Sequence, residues 1–262
     1  MSADAETQPA RLELMALAGV PVVAPGDDIA ALTIAALARS GVRLQERDVL
    51  VVAQKIVSKA EGRAVELRSV EPSARAVDVG RETDKDPRLV ELILSETRRI
   101  VRKGPDVLIV EHRLGFVGAN AGVDQSNVGP QDGVERALLL PVDPDASAEA
   151  LRAALARQFG VMIGVIINDS FGRPWRLGTA GVALGVAGLP ALKDLRGRPD
   201  YLGRPLKVSI TAFADEIAAA ASLLMGQGDE GRPMVLVRGL DWHEPASPGR
   251  ALLRPTAEDL FR

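Results

Sequence analysis

The chain has 262 residues, of which 47% are hydrophobic and 26% charged, as expected for a globular protein of one large domain or two small ones. Its net charge of −3 gives little support to nucleic-acid binding, and the lack of cysteine excludes disulfides, thiolate metal sites and cysteine nucleophiles. With only two histidines, any metal site should use oxygen ligands, which suits Mg²⁺ or Mn²⁺.

Short apolar or alternating segments predict a series of strands along the chain. One of them, in 48–62, runs into a polar and basic segment, and two others form a pair around 103–105. The segment 115–129 breaks all periodicity, and 180–192 is compatible with either a packed helix or a strand. The predicted strands lie in 11–17, 48–62, 63–70, 99–104, 106–113, 136–143, 161–167, 206–213 and 234–240.

Four segments have the apolar spacing of amphipathic helices. Asp27 or Asp28 is a candidate N-cap for the first helix, and Asp145 or Ser147 for the third. The second is interrupted before Pro87. These helical segments are 27–41, 72–98, 147–160 and 214–228.

Helices and strands are mixed without regular βαβ alternation, which favours an α+β fold with a mixed sheet, neither Rossmann nor P-loop. We expect a disordered segment in 1–9, two intertwined subdomains within 10–245 that meet near 143–147, and a tail in 246–262. The N-terminal residues do not have the composition of a signal peptide, and no apolar run reaches the ~20 residues that span a bilayer. A cytoplasmic protein without membrane contacts is therefore expected.

The stretch 160–181 combines features of a metal site and a phosphate site. Its first part, 161–167, is a short β-branched run that predicts a strand buried on both faces. Asn168, Asp169 and Ser170 follow at the strand end, and the basic, Gly- and Pro-rich residues after them should be irregular. A carboxylate at a strand end beside a basic loop suits a metal and a phosphate, although a strand end with an Asx turn has the same residues.

Two further segments have a similar character. Asp124 lies among Gly, Ser and Asn residues in 119–128, and three glycines and two carboxylates occur in 225–233 after the last helix. Both segments also fit ordinary turns, and a glycine after a helix commonly serves as its C-cap. Arg173 and Arg176 are candidates to contact phosphate or substrate, but solvated side chains would fit the same sequence.

Several long motifs together resemble the coenzyme F420-0:L-glutamate ligases, also called γ-glutamyl ligases. They are VSKAEGR, ANAGVDQSNV, IINDSFGRPWRLGTAGVALGVAGLPAL, DLRGRPDYLGR and DEIAAAASLLMGQGDEGRPMVLVRGL, and they follow the order and spacing of that family from about residue 19 to about 240. The resemblance implies a homodimeric acid–amino-acid ligase that joins L-glutamate to F420-0 and then adds further γ-linked glutamates. It also implies GTP as co-substrate, two Mg²⁺ or Mn²⁺ ions, and K⁺. We expect an acyl-phosphate intermediate.

The resemblance also assigns roles to residues. Asp124, Asp169 and Lys59 are the implied catalytic residues, and the implied metal ligands are Asp124, Asp169, Ser170 and Gln227, where Gln227 replaces a glutamate of some relatives. The implied nucleotide contacts are Val20, Pro21, Val22, Val23, Gln54, Lys55, Lys59, Asn127, Met225, Gly226, Gln227 and Gly228.

The residues that depart from the family pattern keep an alternative open. Gln54 and Lys55 replace a serine–threonine pair of some relatives, and Gln227 brings no charge to the metal site. A nucleotide- and metal-binding relative that acts on another small carboxylate, or that lacks turnover, would fit these departures.

Overall fold

A computed structural model describes residues 10–129 and 132–260 of the protein; the segment 1–9, predicted to be disordered, lies outside them. The fold is α+β, as predicted, and it combines a five-stranded mixed sheet with smaller sheets. The strands are β1 (Glu13–Ala16), β2 (Val49–Ala53), β3 (Ala64–Glu66), β4 (Thr97–Gly104), β5 (Val107–His112), β6 (Val117–Ala119), β7 (Arg136–Leu138), β8 (Gly164–Arg173), β9 (Arg176–Ala187), β10 (Lys193–Asp194), β11 (Ile210–Thr211) and β12 (Met234–Arg238). The helices are α1 (Ile29–Arg39), α2 (Gln54–Ala60), α3 (Ala74–Thr83), α4 (Pro87–Ser95), α5 (Pro144–Phe159) and α6 (Phe213–Met225).

The five-stranded sheet has the order β1-β12-β2-β8-β9. Of its neighbouring strand pairs, only β2 and β8 run parallel. Helices α1, α2 and α5 pack on one face and α6 packs on the other. Strands buried on both faces lose the alternation of polar and apolar residues, which explains the continuous apolar runs of β2, β12 and the first half of β8. No helix in the described ranges is long and apolar enough to cross a membrane.

A second core lies beside this sheet. Strands β4, β5 and β6 form an antiparallel sheet, and the apolar side chains of β4 and β5 pack with those of α3 and α4. The predicted strand pair around 103–105 is confirmed, as is the break between the two helices at Asp86, which caps α4. The short ladder β3–β7 connects this region to the end of α2.

The irregular loop predicted after 161–167 is wrong. Strand β8 continues through Arg173 and pairs with β9 as a long antiparallel hairpin. The Gly and Pro residues mark the tip of the hairpin, where Pro174 and Trp175 form the turn and Trp175 has φ +59°. Glycine weakens a strand but does not prevent its pairing, so the polar composition here indicated exposure rather than irregular backbone.

A β-bulge in β9 changes the face of the sheet to which the side chains on either side of it point. Ile167 pairs with Gly185 and Asn168 with Ala183, so Leu184 is an extra residue in β9. As a result Gly181 lies against α6 and Gly185 against the start of α5, where added Cβ atoms would collide with helix backbone. Two glycines therefore allow helices to approach the same strand from opposite sides of the sheet.

Helix α5 begins earlier than predicted. Its N-cap is Asp143, whose carboxylate accepts the Ala146 N–H, and neither Asp145 nor Ser147 has that role. Asp145 instead accepts the backbone N–H groups of Val186 and Gly249, which tie β9 and the tail to the helix. Helix α2 and strand β6 were also missed, because both are short and polar or glycine-rich.

Candidate active site

Two cavities meet at the ends of the parallel strands β2 and β8. Because parallel neighbours present their carboxyl ends at the same edge of a sheet, the residues that follow β2 come close to Asp169 and Ser170 in the second half of β8. Helix α2 starts directly after β2 and brings Lys55 and Lys59 to this edge.

The first cavity has a volume of about 400 Å³, within the range of small-molecule sites. Its walls come from a loop before α1, from α2, from the loop before β7, from β8 and from the segment after α6. The residues from the sequence-based assignment that line it are Val20, Pro21, Val22, Val23, Gln54, Lys55, Lys59, Asn127, Asp169, Ser170, Met225, Gly226, Gln227 and Gly228.

The second cavity is larger, about 880 Å³, and lies between the β8–β9 hairpin and the β5–β6 sheet. Asp124 lines this cavity and not the first, and it shares this cavity with five of the other assigned residues. The residues that line both cavities are Gln54, Lys55, Asp169, Ser170 and Gln227.

Asp124 is held as an ionised carboxylate. Lys55 Nζ lies 2.6 Å from Asp124 Oδ2, and Ser126 donates its N–H to Oδ1 at 2.8 Å and its hydroxyl to Oδ2 at 2.9 Å. Burial acts to raise the pKa of Asp124, but these hydrogen bonds and the lysine charge outweigh it and the pKa is lowered. An acceptor-only group is therefore available at neutral pH.

The pKa of Asp169 shifts in the opposite direction to that of Asp124. Burial raises its pKa to about 6 and the nearby charge of Asp124 adds to the rise, while the Ser170 N–H, 2.8 Å from Oδ1, and the charge of Lys55 oppose it. A half-buried carboxylate that is only partly compensated is stabilised by any cation that binds next to it.

Oxygen donors dominate the junction between the cavities. Besides the carboxylates of Asp124 and Asp169, the Ser170 hydroxyl donates to Gln227 Oε1 at 2.9 Å. Hydroxyl and amide oxygens with two carboxylates suit a hard cation such as Mg²⁺ that keeps several of its waters. Among the described residues no three His, Asp or Glu side chains are grouped as a metal site.

Lys59 lines the first cavity with a partly buried ammonium group. Burial lowers the pKa of Lys59, and the charge of Lys55, one helical turn earlier, lowers it further. No ion pair of Lys59 with a carboxylate is found within the described residues. Like charges at this spacing destabilise a helix slightly, and an anion bound next to Lys59 would offset that repulsion.

The segment after α6 already presents backbone N–H groups to an anion. Gly226 has φ +73°, and the Gly228 N–H donates to the Glu230 carboxylate at 2.8 Å. Glycine-rich backbone of this kind can bind phosphate oxygens in the same way.

Asn168 and Arg232 line the first cavity and were not assigned a role from the sequence. Arg173 and Arg176, the candidates for a phosphate or substrate contact, line the second cavity. Asn168 also donates to Ser222 Oγ at 3.2 Å, which fixes β8 against α6. A signal was present for the arginines, since all three lie within glycine-rich motifs, but their partners depend on the hairpin and on the fold of the segment after α6.

Comparison with known proteins identifies related sequences. A family model described as F420-0:Gamma-glutamyl ligase matches residues 19–239. The coenzyme F420:L-glutamate ligase of Methanothermobacter thermautotrophicus is 49% identical over 253 residues, which cover 96% of this chain and 99% of that protein. The protein of the same description from Methanopyrus kandleri is 48% identical, covering 92% of this chain and 93% of that protein. The one from Methanocaldococcus jannaschii is 42% identical, with 84% and 86% covered.

Proposed function

Since the chain belongs to the F420-0:γ-glutamyl ligase family, we propose that it is an acid–amino-acid ligase that joins L-glutamate to F420-0 and then adds further γ-linked glutamates. GTP is the proposed co-substrate and is split to GDP and phosphate. The proposal includes two Mg²⁺ or Mn²⁺ ions, with K⁺ as an additional ion.

The observation that carries this proposal is the meeting of two cavities at one set of oxygen donors. A nucleotide in the first cavity would place its terminal phosphate toward Asp169 and Ser170, which also face the second cavity. An acceptor carboxylate in the second cavity would then approach that phosphate from the other side. Such a two-sided site suits phosphoryl transfer between two bound substrates.

The proposed reaction has two steps. An oxygen of the acceptor carboxylate attacks the γ-phosphorus of GTP, the bond from that phosphorus to the GDP oxygen breaks, and an acyl phosphate forms. The glutamate amine then attacks the acyl carbon, loses a proton, and forms the amide as phosphate leaves. Neither step requires an enzyme nucleophile, which is consistent with a chain that has no cysteine.

The proposed roles of the site residues follow from their charges. Asp124, Asp169, Ser170 and Gln227 would hold the divalent cations, which supply positive charge to the phosphate oxygens during transfer. Lys59 lines the nucleotide cavity without a carboxylate partner in the described chain, so it is suited to contact a phosphate oxygen. Lys55 reaches both cavities and keeps Asp124 ionised.

A direct assay tests the proposed reaction. The protein is mixed with F420-0, L-glutamate, Mn²⁺ and either GTP or ATP, and the products are identified by mass. We expect mono- and then polyglutamylated F420 with GTP, with GDP and phosphate released in equal amounts. Binding of GTP without product would reject the ligase reaction and support a binding protein, whereas equal rates with ATP would reject the nucleotide assignment alone.

The proposed homodimer is supported by apolar side chains on the surface. Trp175 and Leu177 at the tip of the hairpin are 82% and 100% exposed. Large exposed apolar groups that lie together mark an interaction surface. Light scattering should give twice the mass of the chain, and Trp175→Ser with Leu177→Ser should reduce it.

A further inference from the structure

Two arginines face each other at the end of the β8–β9 hairpin. Arg173 and Arg176 are the last cross-strand pair before the turn, and both are exposed and line the second cavity. Like charges opposite each other destabilise a hairpin. In the described parts of the chain neither arginine has an ion pair, and Arg173 makes only a long hydrogen bond, 3.4 Å from Nη2 to the Leu177 carbonyl oxygen.

The second cavity therefore differs in charge between its two ends. Asp124 and Asp169 lie near the end that it shares with the first cavity, where Lys55 pairs with Asp124, and the two arginines lie at the hairpin end. Arg173 follows Asp169 by four residues along β8, which corresponds to roughly 13 Å at the rise of an antiparallel strand. A ligand that spans the cavity would thus meet two positive side chains remote from the reacting phosphate.

We propose that Arg173 and Arg176 bind the anionic groups of the acceptor that lie behind its reacting carboxylate, and so determine acceptor specificity. This inference rests on the proposed function. Each γ-linked glutamate leaves a free α-carboxylate behind the new terminal γ-carboxylate, so the acceptor becomes more anionic with every addition. A guanidinium group forms paired hydrogen bonds with a carboxylate, which suits this role better than a lysine would.

The position of the arginines argues against two other roles. Neither arginine lines the first cavity, so a contact with the nucleotide phosphates is not supported by the geometry. Both point into a cavity and not only toward solvent, so a purely solubilising role does not account for the cross-strand placement.

Binding and chemistry should respond differently when these side chains are removed. Because the arginines lie far from the phosphate, their contacts are present in both the ground state and the transition state, and their loss raises KM more than it lowers kcat. Loss of a charged hydrogen bond should raise the acceptor KM on the order of 10- to 100-fold. The rise should be larger for an acceptor that already carries one glutamate than for F420-0.

The test compares Arg173→Ala, Arg176→Ala and the double variant with wild type, and uses Arg157→Ala as a matched surface control. Titration calorimetry measures the affinity for F420-0 and for its monoglutamylated form in the presence of GDP and Mn²⁺, and steady-state kinetics measures KM for acceptor and for GTP. Thermal unfolding checks that each variant is folded, and the arginine-to-lysine variants test for partial rescue.

We expect weaker acceptor binding, unchanged GTP affinity, partial rescue by lysine and no effect of Arg157→Ala. Unchanged acceptor affinity in the double variant would overturn the inference, as would an equal loss for GTP and acceptor. A change in oligomeric state with normal acceptor affinity would overturn it too, and would assign the arginines to a subunit contact. If wild type binds acceptor through these arginines but forms no product, the proposed ligase reaction fails while the inference stands.

Discussion

At the residue scale, the Asp169 carboxylate lowers the folding stability of the ligand-free protein at neutral pH. Its pKa of about 6 means that the folded chain resists ionisation of this carboxylate, chiefly because it is buried. For an acid with a raised pKa, the stabilising contribution is present below the ordinary value near 3.8 and is lost as pH rises through about 6. The protein at neutral pH therefore keeps a carboxylate that disfavours folding.

The Asp169→Asn variant allows the effect of Asp169 on folding stability to be measured separately from its effect on turnover. We expect turnover to fall at least about 100-fold, because the variant lacks a proposed cation ligand. Without nucleotide or metal, the free energy of unfolding relative to wild type should rise by up to about 3 kcal/mol between pH 4 and pH 8. Urea unfolding at both pH values measures this, with the exposed Asp78→Asn as control. Retained turnover would remove Asp169 from the metal site.

Lys55 competes with any cation that binds Asp124, because its ammonium lies 2.6 Å from that carboxylate. Lys55→Met should therefore bind Mn²⁺ several-fold more tightly in the absence of nucleotide. The measurement is a calorimetric titration at pH 8, where loss of the Lys55 charge cannot be offset by protonation of Asp169. Lys207→Met, at an exposed position, should have no effect, and weaker Mn²⁺ binding by Lys55→Met would show that the lysine assists the metal.

At the scale of elements, the hairpin depends on close approach between strand and helix. An added Cβ at Gly181 would lie 2.5 Å from the Ala218 carbonyl oxygen of α6. Helix α6 must shift to accept it, and it also carries the segment after Met225 that lines the first cavity.

Gly181→Ala should destabilise the protein by about 1–3 kcal/mol through overpacking. It should also weaken GTP binding, because the shift of α6 moves the glycine-rich segment that follows it. Thermal unfolding and a nucleotide titration measure the two effects. Gly172→Ala, where an added Cβ meets no atom within 4 Å, is the matched control, and equal behaviour of both variants would contradict the packing argument.

Some of these elements are predictable from the sequence and others are not, and the difference has physical reasons. Helices α1 and α6 were found because their apolar spacing and terminal signals are local properties of the chain. The extension of β8 beyond Asn168 was not, because pairing with β9 compensates for glycines and exposed polar residues that disfavour a strand locally. Short elements such as α2 carry too few residues for a periodic signal.

The candidate site was predicted in part. Its segments were recognisable because they combine glycine with hydrogen-bonding side chains, and all but Asp124 of the assigned residues line one cavity. The pairing of Lys55 with Asp124 was not foreseen, since the two side chains come from elements that are distant in sequence and meet only through the fold.

At the scale of the whole molecule, one buried carboxylate links the two cores. Glu96 follows α4 and accepts from Arg63 Nη2 at 2.8 Å and from Arg113 Nε at 2.6 Å, while Arg63 Nε donates to the Leu140 carbonyl oxygen. Burial acts to raise the pKa of Glu96, but His112, whose Nε2 lies 3.2 Å from Oε2, and the hydrogen bonds from Arg113 and Arg63 outweigh it and hold the pKa at about 2.

This network predicts acid sensitivity. For an acid with a lowered pKa, the stabilisation is present above the ordinary value near 4.5 and is lost as pH falls toward about 2. Wild type should lose on the order of 3 kcal/mol from Glu96 over that interval, and Glu96→Gln should be destabilised at pH 7 but respond less to acid. Chemical unfolding from pH 7 to pH 2 measures this, with exposed Glu71→Gln as control. An unchanged acid response of Glu96→Gln would refute it.

The five side chains common to both cavities have a consequence for the order of events. When one group of residues contacts two ligands, whatever factor the nucleotide applies to acceptor affinity, the acceptor must apply to nucleotide affinity. Exchange of GDP for GTP while the acceptor stays bound would then compete with acceptor release after every round. In the proposed reaction, the number of glutamates added would depend on the rate of nucleotide exchange relative to the rate of acceptor release, and both rates would depend on the junction at Asp169, Ser170 and Gln227.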